Sequence, residues 1–294
     1  MTMTSEEILA HPGLEQSIRG QAQALLAIQE SAPRLASVFA TQQRWLMSHA
    51  ALAEYFRSEA GKAGSGLLAE RFLEIVERDN IASRNTASAF IKEMLRYDMV
   101  RVVPNNVGRR RRALEPAPPV LAALHGWHAL HLACLDRLDG GARVTRLNAD
   151  LAFLPVIQPL IADGLIGSNE IREPGGAFSL FTWVNEGGIV MDRLFVGYQR
   201  VTAEGRILTD VTSVAALARR LKLSRTQLGR KLAQAEAMGR LGWTGARGKS
   251  PLWVSADFRH EYLSAQAVKL AIIDAAFAAC TARDERPKGD VAAA

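Results

Sequence analysis

Cysteine is scarce in this chain: of 294 residues only Cys134 and Cys280 carry a thiol, and they sit far apart inside apolar, helix-like segments. Such usage excludes a disulfide framework and a cysteine-rich metal cluster, and both residues read as small buried hydrophobes. Long apolar runs are missing as well. No stretch approaches the ~18 consecutive apolar residues of a membrane helix. The opening MTMTSEEILAHPG carries Glu6 and Glu7 ahead of Ile8 and Leu9, where a secretory leader carries basic and then apolar residues. The expectation is a cytoplasmic protein with no membrane partner.

Signatures of catalysis and of bound cofactors are also wanting. No Ser-His-Asp or Cys-His constellation has a recognisable local context, and no pair of carboxylates stands out from solvated helix faces. Glu70, Glu74 and Glu77 fall beside Arg71 and Arg78 on one helical pattern, which reads as salt-bridged surface. The string Gly64-Ser65-Gly66-Leu67-Leu68-Ala69 fits a dinucleotide-binding spacing but follows a helical pattern over 53–60 instead of a strand. Gly248-Lys249-Ser250 ends like a phosphate loop, yet Trp243 stands where that loop needs its first glycine. His125, His128, His131 and Cys134 recur every third residue. Each such step turns a helix by about 300°, so the first and last lie on opposite faces, and the set reads as packing around Trp127. No catalytic residue, metal ligand or cofactor is expected.

What the sequence has is apolar residues (48%) enough for real cores over roughly two domains, and an uneven charge. The chain holds 36 Lys and Arg against 30 Asp and Glu, a net +6. Window 81–115 has eight basic and three acidic residues; window 219–260 has ten basic and two acidic. Together they exceed the excess of the whole chain, so the remainder is acidic. Two basic patches on an acidic body are the footprint of two nucleic-acid contact surfaces.

Apolar residues at three-and-four spacing predict helices over 18–28, 46–56, 67–76, 86–95, 120–138, 189–198, 214–221, 227–238 and 262–280. Between Gly-Gly and Pro-Gly pairs, 178–184 is β-branched and aromatic, which predicts a hairpin or irregular connector. The division that results is a helical N-terminus with a first domain over 1–139, a connector with short strands over 140–190, a second domain over 191–283, and a disordered tail over 284–294.

An offset of 141 lays one basic window on the other: Ser83-Arg84 falls on Ser224-Arg225, Ile91 on Leu232, Val100 on Leu241. Each window reads as a helix, a short turn, a serine able to cap the next helix, that helix, and two β segments around a basic turn. The second helices open with Arg84, Asn85, Thr86, Ser88 and Lys92, and with Arg225, Thr226, Gln227, Arg230 and Lys231. Arg pairs bidentately with guanine, and Asn or Gln with adenine, in the major groove. Arg109, Arg110, Arg111 and Arg112 fill the first basic turn; Arg247 and Lys249 fill the second. Such turns suit a phosphate backbone or a minor groove. This order of elements is the winged form of the helix-turn-helix.

The chain thereby resembles the winged helix-turn-helix transcription regulators, most like the MarR-type group. The resemblance rests on Ala-Ser-Arg-Asn-Thr-Ala-Ser at 82–88, Leu-Arg-Tyr-Asp-Met-Val at 95–100, the arginines at 109–112 and a following helix from Val120, with a second copy over 212–254. It implies that the second helix of each unit reads the major groove, that the wing touches backbone or minor groove, and that outer helices pair chains. The sequence departs from the group in carrying two units, as plasmid replication initiators do. It also has Asn105-Asn106-Val107-Gly108 where an acidic residue would precede the wing arginines. The connector lies outside the resemblance.

The expected fold is therefore mainly α with small β wings, as tandem winged helix-turn-helix domains. The expected function is that of a transcription regulator binding double-stranded DNA with two units as a pseudo-dimer, Ser83 and Ser224 capping the reading helices. The alternatives are a replication initiator and a winged-helix module that binds protein without DNA. A homodimer and a small-molecule effector stay open: Phe178, Phe181, Trp183 and Met191 line a pocket or fill a core.

Overall fold

A computed structural model describes residues 2–32, 41–58, 65–103, 113–150, 152–182 and 187–284. The chain is mainly helical, 69% helix, with two small antiparallel sheets. It opens with α1 (Ser5–Ala10), closed by a reciprocal box in which Thr4 and Glu7 satisfy each other's backbone amides. Two long helices follow, α2 (Leu14–Ser31) and α3 (Gln42–Arg57), the latter capped by Thr41. Then come β1 (Leu67–Leu68), α4 (Ala69–Arg78), α5 (Arg84–Arg96), β2 (Val100–Val102) and β3 (Ala113–Pro116).

The middle of the chain is α6 (Pro118–Asp139), α7 (Arg143–Ala149), α8 (Phe153–Gly167), α9 (Asn169–Arg172) and α10 (Gly176–Thr182). After α11 (Gly187–Val196) the order of the first half returns as β4 (Tyr198–Val201), β5 (Ile207–Thr209), α12 (Val214–Arg220), α13 (Arg225–Ala237), β6 (Leu241–Trp243) and β7 (Leu252–Val254). The last helix is α14 (Ala256–Asp284).

The two sheets have one topology at their centre. In the first, β3 lies between β1 and β2, with Leu114 opposite both Leu67 and Val102. In the second, β7 lies between β5 and β6, with Val254 opposite both Ile207 and Leu241, and β4 adds an outer strand. Each half thus contains a strand, two helices and a returning pair of strands. The strands β1, β4 and β5 have no counterpart in the periodicity. Leu67 and Leu68, expected to begin a helix, instead pair with β3 before α4 starts. A two-residue strand is too short to carry an alternating pattern.

The connector expected to hold short strands is helical where it is described, from α7 to α11. Phe178 and Phe181 favour strands by type, but their three-residue spacing lets both face α14: Phe181 meets the Phe258 ring edge-on at 6.1 Å, and Phe178 meets Tyr262 at 6.4 Å. Tertiary packing overrides β-propensity here. The tail at 285–294 lies outside the described residues, and Asp284 closes α14. Among the described residues no linker separates two cores. Buried apolar side chains form one cluster that runs from Ile8 to Cys280 and takes in both halves.

Packing converges on α14, which lies against α1, α2, α6, α8, α9 and α10, while α3 lies along α8 and α2 along α11. By length and composition α14 is apolar enough to cross a membrane. Its central side chains Phe258, Tyr262, Leu270 and Ile273 are buried inside this molecule. The approach of α8 is close enough that a Cβ at Gly164 would sit 2.5 Å from Ile272, so only glycine fits.

One polar cluster pins this assembly. Arg143 is 8% exposed and its guanidinium reaches Asp274 on α14 at 2.8 Å, Asp136 at 3.2 Å and Asp139. Asp274 also accepts the Met3 amide at 2.8 Å, which ties the start of the chain to its end. The hydrogen bond from Arg143 holds the Asp139 carboxyl below its usual range. Replacing Arg143 by Leu leaves Asp274 buried without its counter-charge and is expected to cost about 3–5 kcal/mol in urea unfolding. Adding Asp274→Asn to that variant is expected to restore a large part of the loss.

Candidate nucleic-acid interface

The repeat continues at the level of single hydrogen bonds. At the end of α4 the chain enters the left-handed region at Asn80 (φ 54), and Ile81 donates back to the Val76 carbonyl at 2.9 Å. At the end of α12 the same is done by Lys222 (φ 56), with Leu223 donating to Ala218 at 2.8 Å. Such a six-residue closure satisfies carbonyls that a helix end would leave bare. Serine caps follow: Ser83 Oγ accepts from the Thr86 amide at 3.3 Å, and Ser224 Oγ from the Gln227 amide at 3.4 Å.

The second helices, α5 and α13, have 13 residues each and keep the offset of 141 throughout. Ala87, Ile91 and Met94 are buried on one, Leu228, Leu232 and Ala235 on the other. Both end alike. Asp98 (φ 53) and Gly239 (φ 69) occupy equivalent left-handed positions, and Met99 donates to Met94 at 2.9 Å as Arg240 donates to Ala235 at 3.0 Å. The first turn is one residue longer, 80–83 against 222–224, so the offset is 142 before it and 141 through the second helix.

Because the buried residues take one face, the opening polar residues take the other. Ser83, Asn85, Thr86 and Lys92 are exposed on the first unit, with Arg84 and Ser88 half-buried. On the second, Ser224, Arg225, Thr226, Gln227 and Arg230 are exposed and Lys231 is half-buried. The predicted residues of each unit therefore share one outward surface.

Their charges are not equivalent. Arg84 is held by Glu77 at 2.9 Å and by Glu70, both on α4. Arg71 pairs with Glu54 and Arg78 with Asp79. Arg71, Arg78 and Arg84 are thus each paired, while Lys92 and Arg96 make no ion pair among the described residues. On α12 the position of Glu77 is taken by Arg219, and Arg219, Lys222, Arg225, Arg230, Lys231 and Lys249 make no ion pair among the described residues. Arg219 and Lys222 belong to this surface although their sequence context, a helix end and a turn, hid them among ordinary helix termini.

The second basic turn is well built. Thr244 donates to the Pro251 carbonyl at 3.0 Å, Gly245 to Ser250 Oγ at 2.9 Å and Lys249 to Ala246 at 3.0 Å. Arg247 turns back on α13, where it reaches the Gly229 carbonyl at 3.3 Å and Glu236 at 3.4 Å. It locks the turn to the helix, and Lys249 is left pointing outward. The first turn, with Arg109, Arg110, Arg111 and Arg112, lies outside the described residues.

Two histidines of α6, His128 and His131, are core residues, while His125 is half-buried. His128 and His131 donate from Nδ1 to the Leu124 and Trp127 carbonyls at 2.7 and 2.8 Å, and those partners require the proton on Nδ1. His131 Nε2 accepts from Gln21 at 3.1 Å, and His49 Nδ1 accepts from Gln158 at 3.1 Å. Trp127 packs between His49 and His131. Among the described residues no group of three or more His, Cys, Asp or Glu is arranged to hold a metal ion. No protein-family model, no curated protein and no solved structure matches the chain.

Burial holds His49 down to about 3 and His128 to about 4, and lowers His131 well below its ordinary 6.5. A group depressed in the folded state contributes stability above its unfolded pKa and loses it as pH falls through that value. Asp192, pushed by burial up to about 6, acts in the opposite sense. With three histidines against one aspartate, the urea midpoint is expected to fall between about pH 7 and about pH 5. A midpoint that is flat or rising over that interval would contradict the buried, neutral histidines.

Proposed function

We propose that this protein is a transcription regulator that binds double-stranded DNA in a sequence-specific way through two winged-helix units in one chain. The reading is carried by one observation: a helix, turn, capped second helix and strand pair recur with the same helix-end hydrogen bonds, with the polar opening residues of both second helices turned outward. Helix openings of this kind offer side chains to base edges and free amides to phosphate.

In this reading the second unit makes the stronger contact. Arg225, Arg230, Lys231 and Lys249 have no carboxylate among the described residues to leave, so each gains the benefit of a phosphate or a guanine. Arg84 would first have to part from Glu70 and Glu77. Two such helices in successive major grooves, about one helical turn apart, would read an imperfect palindrome because the copies differ. The acidic neighbours of Arg84 favour a second reading for the first unit alone, in which that unit docks on another protein while the second holds DNA.

The test is fluorescence anisotropy with duplex genomic fragments titrated across ~50 to 200 mM salt, followed by selection of the bound fragments. A steep negative slope of log affinity on log salt is expected. Arg225→Ala and Arg230→Ala are expected to weaken the selected site by about 1–3 kcal/mol each, and Lys249→Ala to lower the slope by about one phosphate. Arg84→Ala is expected to matter less than either. Absent or salt-independent binding would sink the DNA reading, and equal losses from Arg84 and Arg225 would sink the asymmetry.

A further inference from the structure

Where α2, α3, α9, α10, α11 and α14 meet, the structure contains a cavity of about 190 Å³, with the exposed Glu170 at its edge. Trp45, Phe178 and Tyr262 contribute rings to its wall, with Met191 beside them. Phe181, by contrast, is 1% exposed and belongs to the core, and Trp183 lies outside the described residues. One side chain in this wall ends in an amine, that of Lys269 on α14.

That amine is unlike the polar groups around it. The Tyr262 hydroxyl donates to Asp192 Oδ1 at 2.6 Å, and the carbonyl oxygens of Gln42 and Gln266 are sealed within the packing. Lys269 makes no hydrogen bond and no ion pair among the described residues, yet its nitrogen is not one of the sealed polar atoms, and its side chain is half-buried. The nitrogen therefore keeps accessible surface at the cavity wall, where a bound molecule meets it.

Its surroundings make it a nucleophile. Burial brings Lys269 down to about 8, against the pull of Asp192 on α11. The other titratable groups that act on it are His49 on α3 and His131 and Cys134 on α6, all uncharged in the fold, while Glu170 on α9 stands at the exposed edge. At pH 8 about half of such amines are unprotonated, against under about 1% for a lysine in water. An unprotonated lysine amine adds to a carbonyl carbon, and sites that lower its affinity for the proton promote that addition.

Charge decides which carbonyl compound enters. The wall holds one carboxylate, Asp192, and one ammonium, Lys269, and their charges cancel. A carboxylate or a cation brought in by a ligand would stay uncompensated in a space where an isolated charge is very costly. A neutral ring bearing an aldehyde adds no charge. Its condensation adds none either, because an ammonium and an aldehyde give a protonated imine and water, and the positive charge stays on the same nitrogen.

We propose that Lys269 is a covalent docking point at which this cavity takes up a neutral one-ring aromatic aldehyde as a reversible imine. A bond forms between Lys269 Nζ and the carbonyl carbon, the carbon–oxygen double bond breaks, and the oxygen leaves as water with two protons from the ammonium. The ring lies among Trp45, Phe178 and Tyr262. The size fits, since an apolar cavity of about 150 Å³ admits a benzene ring and this one has room for the carbonyl as well. The proposal concerns the cavity alone and stands whether or not the protein binds DNA.

The experiment treats the full chain at pH 8 with benzaldehyde and sodium cyanoborohydride, which reduces an imine to a stable secondary amine, and locates the added mass by peptide mapping. The six other lysines of the chain are internal controls. Lys269 is expected to be labelled at least about tenfold faster than Lys92, Lys222 or Lys249, a margin set by its larger unprotonated fraction. The preference is expected to vanish in urea, and to shrink with propanal, which has no ring to seat. Lys269→Met keeps the unbranched stem and removes the amine, and its total uptake is expected to fall to the level of the exposed lysines; the wild-type map decides if that variant does not fold. The proposal is overturned if benzaldehyde labels Lys269 no faster than Lys92, or if the preference survives in urea. It is equally overturned if propanal is as selective for Lys269 as benzaldehyde.

Discussion

The architecture depends on the need to cover α14. Its apolar surface is too wide for a single neighbour, and α1, α2, α6, α8, α9 and α10 all close on it. Burial of each large side chain there contributes roughly 1.5–3 kcal/mol, and the contributors come from every part of the chain. Hydrophobic contact alone would let these helices slide. The Arg143 cluster removes that freedom, because Asp274, Asp136 and Asp139 can all meet one guanidinium in only one register. Charges so deeply placed are weak net stabilisers but severe penalties when misaligned, which is how they specify one arrangement.

Built around that core, the two repeated units keep their geometry and differ in their charge. The shared features are those that backbone chemistry demands: a left-handed residue after each helix, a serine before the next, and a buried stripe on its inner side. Asp98 and Gly239 show how loosely residue type is bound by this, since both serve one backbone conformation. Surface charge is under no such constraint. Glu77 and Arg219 occupy corresponding places after opposite choices, and Arg84 is paired where Arg225 makes no ion pair among the described residues.

Much of the repeat was legible in the sequence. The offset of 141, the caps Ser83 and Ser224 and the strand pair 241–254 are local features, set by residues within a few positions of one another, and they recur in the structure with matching bounds. The short strands β1, β4 and β5 were not legible, because two to four residues cannot display a period and their pairing partners lie far along the chain. The connector was misleading, because aromatic and β-branched residues mark strands only while no helix surface competes for them. The cavity wall was half legible: Phe178 and Met191 stand out as apolar, whereas Gln42, Gln266 and Lys269 look like ordinary helix polar residues until α3 and α14 are brought together.

The sequence by itself determined the second helix of each unit with its serine cap, that one pattern occurs twice, and where positive charge concentrates. Each of these follows from short-range rules of hydrogen bonding, periodicity and residue type. Tertiary structure alone decided that the halves share one core, that Arg84 is held by carboxylates from α4, that Arg247 fastens a turn, and that the oxygens of Gln42 and Gln266 are buried without a donor among the described residues. The reason is common to all four. Each depends on which distant residue arrives at a given side chain, and that is set by the simultaneous burial of every helix against α14, which no local stretch of sequence contains.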